Sequence, residues 1–314
     1  MSTTPRLQAG KRYRRAERPR AVLAIFQPYC TIADDTSATG SNLMKTAQVR
    51  DVIGIMEEIA PPAFALEGDS IGLQVGNRLG KVRNVLLCLD VTTAVLQEAQ
   101  SLGIDLVIAH HPLVFRPLSR LVITTYPGTL IAQAVRSDIS VYAAHSNLDL
   151  APGGVNDVLV DILTAELGDY TREPLLCREG STTIGLGRVI RLCSPVDWHT
   201  IIHIIETGLS PQFIRLAGEP ISNVTSIAIC GGSGNGLVET VIEQEAELFI
   251  TGELKYHDAL QAKILGLTTL EAGHYHTEVP VLAPLQDRLK RETQAQGYDV
   301  QVAVTSQITC PYTR

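Results

Sequence analysis

The sequence predicts an α/β protein built as two related lobes, an internal duplication, and three observations carry that expectation. Short apolar runs suited to buried strands alternate with segments of helical periodicity. A stretch of the first half recurs in the second. Val85-Leu86-Leu87-Cys88 falls on Ile227-Ala228-Ile229-Cys230 at an offset of 142 positions, and the same offset sets Asp105-Leu106-Val107-Ile108-Ala109 on Glu247-Leu248-Phe249-Ile250-Thr251. Both stretches close on His-x-x-x-carboxylate, His145 to Asp149 and His274 to Glu278, at a slightly smaller offset. The matched cysteine, acid and closing motif favour duplication of a β-α-β-α-β unit over a chance likeness.

The elements follow in order. Val49, Val52, Ile53, Met56 and Ile59 recur at helical spacing, predicting a helix over 46–59 that stops before Pro61-Pro62. The glycine-punctuated segment 67–76 reads as a strand. A strand over 83–91, a helix from Thr93, a strand over 105–110, a helix over 127–137, a strand over 140–145 and a helix from Val155 complete the first repeat. A middle region follows, with a strand over 183–192, a helix over 197–208 carrying Trp198, His199 and His203, and a strand over 212–217. The second repeat occupies 226–278, and a charged helix over 281–296 and a strand over 299–305 finish the chain. This alternation predicts largely parallel core sheets. Lobe one is expected at 44–155 with 281–314 and lobe two at 156–280, the last helix and strand returning to lobe one.

With 314 residues and 34.0 kDa the chain suffices for two domains with substantial cores. Its 45% hydrophobic and 19% charged content is that of a soluble globular protein, and no apolar run approaches the ~20 residues that cross a bilayer. The net charge of -7 argues against nucleic acid as a partner. Residues 1–43 hold seven of the 26 basic residues and only three of the 33 acidic ones, so the rest is more acidic still. That basic segment has too short an apolar core for a secretory signal, and Glu17, Asp34 and Asp35 argue against an organellar transit segment. It is read as a disordered extension, with Met44 a candidate translation start. Six scattered cysteines without C-x-x-C point to neither a zinc knuckle nor a redox pair and fit a reducing cytoplasm.

The chemistry gathers at His110-His111-Pro112. These residues close a buried strand, and open α/β sheets bind ligands at the carboxyl ends of their strands. Adjacent strand residues point to opposite sides, so the two histidines are expected to serve two nearby ions, or one to bind while the other supports. A lone histidine is usually structural. A doublet at a strand end, joined by two His-x-x-x-acid motifs, shifts the balance to metal. Asp149 and Glu278 are natural bridging carboxylates between two cations, Asp149 having helix capping as its alternative. Where lobe one has His110-His111, lobe two has Gly252-Glu253, so His145 is expected in support rather than as the twin of His274. His257 and His276 stay undecided, and His199 and His203 read as structural or surface. The Gly231–Gly236 loop fits neither a dinucleotide fingerprint nor a P-loop and reads as a tight turn, and no G-x-S-x-G elbow exists.

His110-His111-Pro112, His145-Ser146-Asn147-Leu148-Asp149-Leu150, Thr251-Gly252-Glu253-Leu254-Lys255-Tyr256-His257-Asp258 and Gly273-His274-Tyr275-His276-Thr277-Glu278 together resemble the GTP cyclohydrolase 1 type 2 homologue (Nif-three-like) family over about 44–314. The resemblance implies a dinuclear metal site in the cleft between two α/β lobes and a ring-shaped homohexamer. It implies His110, His111, Asp149, His274 and Glu278 as ligands, with His145 supporting. The chain departs from the family at Gly68-Asp69-Ser70, where Trp-Asp-Asn is usual, and in its basic extension.

The expected function is a metal-dependent hydrolase. Two divalent ions (Zn, Mn, Fe, Co or Ni, given N and O donors without thiolate) would activate a bridging water, with Glu278 central to catalysis. The family name implies a nucleotide-like small-molecule substrate; a cyclic amide or phosphoester is equally compatible. The competing reading is a non-catalytic metal-binding or protein-interaction ring.

Overall fold

The computed structural model describes residues 45–312. The expectations for residues 1–43 and for Met44 as the start lie outside the described residues. The chain divides into two compact units, one comprising 45–155 and 278–312, the other 156–277.

The first unit opens with β1 (Ala47–Gln48), α1 (Val49–Ile59), β2 (Gly72–Val75) and β3 (Lys81–Val82). Because β1 pairs antiparallel with β3, α1 starts later than its periodicity suggested. Its Val49, Val52, Ile53, Ile55, Met56 and Ile59 are all buried, each contributing about 1.5–3 kcal/mol of hydrophobic transfer. Next come β4 (Asn84–Cys88), α2 (Thr93–Ser101), β5 (Leu106–Ala109), α3 (Gly128–Arg136), β6 (Ser140–Ala143) and α4 (Ser146–Leu150). The Thr92 side chain caps α2 by accepting from the Val95 amide. β4, β5 and β6 pair in parallel and are buried almost throughout, which explains their unbroken apolar runs. β2 closes this edge antiparallel to β6. Just past it Gly76 has φ +116, and a Cβ there would lie 2.3 Å from Ser140 Oγ, so only glycine fits.

The second unit contains α5 (Val155–Leu163, begun by the last residue of the first unit), β7 (Tyr170–Cys177), β8 (Gly185–Asp197), α6 (Trp198–Leu209), β9 (Arg215–Ala217), β10 (Asn223–Ser233), α7 (Val238–Glu243), β11 (Leu248–Glu253), α8 (Tyr256–Ile264), β12 (Thr268–Glu271) and α9 (His274–Glu278, whose last residue belongs to the first unit). Its sheet runs β7-β8-β10-β11-β12-β9, with β10, β11 and β12 parallel and the flanking strands antiparallel. Apolar side chains cover both faces: Ile201, Ile204 and Ile205 of α6 pack with Ile190, Ile227 and Ile250, while Val238 and Val241 of α7 pack with Phe249 and Ala262. β7 was not expected from the sequence. It is an edge strand with Pro174 in its middle and no alternating pattern, and its place is set by pairing with β8.

The chain then returns through α10 (Leu282–Ala295) to β13 (Gln301–Val304), which pairs in parallel with β4 and gives the first sheet its order β13-β4-β5-β6-β2. Glu278, expected with the second lobe, thus falls in the first unit, beside 110, 111 and 149 in the same body.

The backbone repeats the sequence offset of 142. In the first unit Gly103 (φ 61) precedes Ile104, whose N–H donates to the Ala99 carbonyl; in the second, Glu245 (φ 54) precedes Ala246, whose N–H donates to Val241. Beyond the next helix the offset becomes 128, with Ile139 donating to Ala134 and Leu267 to Ala262. It holds through α4 and α9, setting Ser146 on His274 and Asp149 on Thr277. Pairing the motifs by their histidines is therefore one residue, roughly 100° of helix, out of step with the backbone.

Candidate metal centre

The parallel strands of the first sheet deliver their next residues to one end: Asp90 after β4, His110 and His111 after β5, His145 after β6. The ladder is extended one step, as His110 N–H donates to Cys88 at 3.0 Å and His111 N–H to Leu89 at 2.8 Å. Both histidines lie beyond the last strand residue, where side-chain alternation no longer holds. Their rings do not point to opposite sides, as expected, but come together with centroids 4.9 Å apart. The His145 ring lies 5.3 Å from His110 and 5.7 Å from His111, and one ring nitrogen from each of the three falls within 4.8 Å of the others.

Each imidazole is fastened through Nδ1. In His110 this atom meets the Ala144 carbonyl at 2.9 Å. A carbonyl only accepts, so Nδ1 carries a proton and Nε2 is the nitrogen left to face the carboxylates. His111 Nδ1 meets Asp90 Oδ1 at 2.8 Å, and His145 Nδ1 meets Asp69 Oδ1 at 2.8 Å. The second Asp69 oxygen accepts from the Ser146 amide at 3.0 Å and from the Ser146 hydroxyl. Carboxylate or carbonyl behind histidine, with Nε2 forward, is the arrangement that fixes tautomer and orientation in metal-ligating histidines.

Two carboxylates face these nitrogens. Glu278 Oε2 lies 3.0 Å from His111 Nε2, while Glu278 Oε1 and Asp149 Oδ1 each lie 3.6 Å from His110 Nε2. The last atom is buried and has no hydrogen-bond partner among the described residues. Two acidic oxygens just beyond hydrogen-bond length from an unpaired imidazole nitrogen fit donors arranged around a cation.

The electrostatics agree. Burial would lower the pKa of His110, yet Glu278 and Asp149 outweigh it and push it up. His111 is pushed up to about 10, burial again being overcome, here by the hydrogen bonds it donates to Asp90 and Glu278. Burial, reinforced by the charge of Glu278, raises Asp149. Asp69 sits well below the usual carboxylate range because His145 and Ser146 overcome its burial. So much carboxylate in a buried setting needs positive charge nearby, a need that a divalent ion would meet.

His110, His111, Asp149 and Glu278 thus come together in the first unit. His274 belongs to the second, where it opens α9 one helical turn ahead of Glu278, its Nδ1 3.3 Å from Glu253 Oε1. His145, expected in support, lies beside the doublet, its ring slightly farther from either histidine than these are from each other. Asp69 and Asp90 were missed as ring anchors; an acid in the last residues of the apolar strand predicted over 83–91 was the available signal for Asp90. His199, His203 and His257 are exposed. Amides of the Gly231–Gly236 segment are taken up by side chains from elsewhere in the unit, Gly231 donating to Asn156 Oδ1, Gly232 to Thr277 Oγ1 and Gly236 to Asp258 Oδ1. Among the described residues no helix is long and apolar enough to cross a membrane.

The profile of the Duf34/NIF3 (NGG1p interacting factor 3) family matches residues 47–311. A Clostridium perfringens GTP cyclohydrolase 1 type 2 homolog is 34% identical over 265 residues, covering 84% of this chain and 98% of that protein. A Streptomyces coelicolor protein of the same name is 30% identical over 269 residues, 85% of this chain and 94% of its own. Among solved structures, a Bacillus cereus protein related to NIF3 shares the fold at TM-score 0.77 and 24% identity, covering 86% of this chain and all of that one. A Staphylococcus aureus hypothetical protein follows at TM-score 0.76 and 26% identity, with the same coverage. The chain belongs to the Duf34/NIF3 family.

Proposed function

We propose that this protein is a dinuclear metal-dependent hydrolase. Its ligands are His110, His111, Asp149 and Glu278, with His274 added from the preceding turn of α9. The carrying observation is that the two oxygens of Glu278 approach different histidines, Oε1 toward His110 and Oε2 toward His111, the stance of a carboxylate shared by two ions. When bound, divalent ions supply Lewis acidity and make water acidic enough to attack near neutral pH. The chain's own residues hold the donors in place: Ala144, Asp90 and Asp69 fix the three rings, and burial of His110 and Glu278 keeps bulk water from competing. N and O donors without thiolate suit Zn, Mn, Fe, Co or Ni. The repeated backbone turns support an origin of both units in one β-α-β-α-β ancestor.

The substrate is a small molecule, nucleotide-like or a cyclic amide. Phe115, 60% exposed, stands edge-on to His145 with centroids 6.3 Å apart, which supports a ring-bearing substrate beside the metals. The name of the relatives, GTP cyclohydrolase 1 type 2 homolog, agrees. A homohexamer in the cytoplasm completes the proposal.

A second reading, a non-catalytic metal-binding or partner-binding protein, is favoured by one observation. Tyr256, Leu260 and Ile264 form an exposed apolar stripe at i, i+4 and i+8 along α8. Elemental analysis of gently purified protein, then turnover assays of the metal-loaded protein on nucleotides and pterins, separate the two. Turnover abolished in Glu278→Gln with the fold intact supports the hydrolase. Persistent inactivity of fully loaded protein with tight partner capture supports the alternative.

A further inference from the structure

The residues after β13 do not simply leave the sheet. Thr305 N–H extends the pairing by donating to the Leu87 carbonyl at 2.9 Å. The Thr305 hydroxyl then donates to Glu98 of α2, and Ser306 donates to Glu98 Oε1 from its amide at 2.9 Å and its hydroxyl at 2.7 Å. Clamped there, the segment brings Thr309 over the end of β4, where its hydroxyl donates to Asp90 Oδ2 at 2.9 Å. The other Asp90 oxygen holds His111 Nδ1. An unbroken line of polar contacts therefore runs from the carboxyl-terminal segment to the metal-facing side: Thr309, Asp90, His111, Glu278.

Asp90 needs this support. It lies outside regular structure and its side chain is 40% exposed, so a carboxylate held at one oxygen alone could turn toward water. A donor on each oxygen fixes its plane, and a fixed plane fixes the His111 ring, because the line of the Nδ1–H bond sets where Nε2 points. His110 and His145 have no such dependence, being anchored on a backbone carbonyl and on the buried Asp69.

We infer that the segment 305–309 is a strap and that Thr309 is a positioning residue for His111, setting metal affinity from two contacts away. The inference rests on the metal reading above. Its test uses the full-length protein with Co2+ as probe, affinity being measured by chelator competition and geometry by the visible spectrum of the bound ion. Losing a ligand's own partner costs about 10–100-fold in affinity, so Asp90→Asn should fall in that range. Thr309→Val, one contact further out, should weaken Co2+ by about threefold to tenfold and alter its spectrum. Thr309→Ser should restore both, and all three metal-free variants should unfold at the wild-type temperature. Glu98→Gln, which loosens the strap without touching Asp90, should act in the same direction as Thr309→Val. Wild-type affinity and spectrum in Thr309→Val, alongside a weakened Asp90→Asn, would overturn the strap and leave the metal reading standing. A wild-type protein that takes up no Co2+ or Zn2+ would remove the metal reading and this inference with it.

Discussion

Asp105 and Glu247 stand 142 residues apart and perform the same task. Asp105 Oδ2 accepts from the Arg83 and Asn84 amides at 2.7 and 2.9 Å, stitching the entry of β5 to the entry of β4. Glu247 Oε2 accepts from the Thr225 and Ser226 amides at 2.6 and 3.0 Å, stitching the entry of β11 to β10. The partner residues keep the same offset, so acid and amides are matched together.

Charge-assisted bonds of this kind are each worth about 1.5–3 kcal/mol when shielded and less when solvated. Asp105→Ala is expected to destabilise its unit by about 1–2 kcal/mol and the exposed Glu247→Ala by about 1 kcal/mol, read by denaturant unfolding. Slight burial raises the Glu247 pKa, but its bonds to Thr225 and Ser226 outweigh this and lower it below the usual value. A depressed carboxylate stabilises above its unfolded pKa and loses that contribution as pH falls through the folded value. The gap between wild type and Glu247→Ala should therefore be full at pH 7 and shrink below about pH 4.5. A gap that does not change between pH 7 and pH 3 would contradict this.

Gly252 stands at the offset of 142 from His110, and the structure explains why no histidine occurs there. A Cβ at Gly252 would lie 2.3 Å from the Gly232 carbonyl oxygen and 2.7 Å from Thr277 Oγ1. Gly252→Ala is expected to cost about 1–3 kcal/mol through overpacking against rigid backbone. Thermal unfolding of the variant measures this, and an unchanged midpoint would refute the crowding.

Asp69 binds three groups that set the shape of the loop after β6: the His145 ring, the Ser146 amide and the Ser146 hydroxyl. Asp69→Asn should weaken divalent metal binding about tenfold and lower stability, since an amide cannot accept at both positions. Isothermal titration with Zn2+ reads the first effect; an affinity equal to wild type would show that His145 takes no part in binding.

Much of this was legible in the chain. The buried strands β4, β5, β10 and β11 announce themselves as apolar runs, because burial on both faces leaves no polar alternation. The histidine doublet stands out because two ionisable rings at a strand end have no packing reason to be adjacent. β7 was hidden, since an edge strand with Pro174 takes its conformation from β8 rather than from its own pattern. Asp69 was hidden in another way: it sits 76 residues from His145, in a glycine-punctuated segment that resembles an ordinary strand.

The sequence by itself determined the α/β class and the residue types able to bind metal, since periodicity and ligand chemistry are local properties. Tertiary structure decided which nitrogen of each histidine faces forward, that His145 joins the doublet, and that Glu278 falls in the same unit as His110. Those outcomes depend on partners such as Ala144, Asp90 and Asp69, brought in by sheet pairing and loop closure, which linear spacing does not encode.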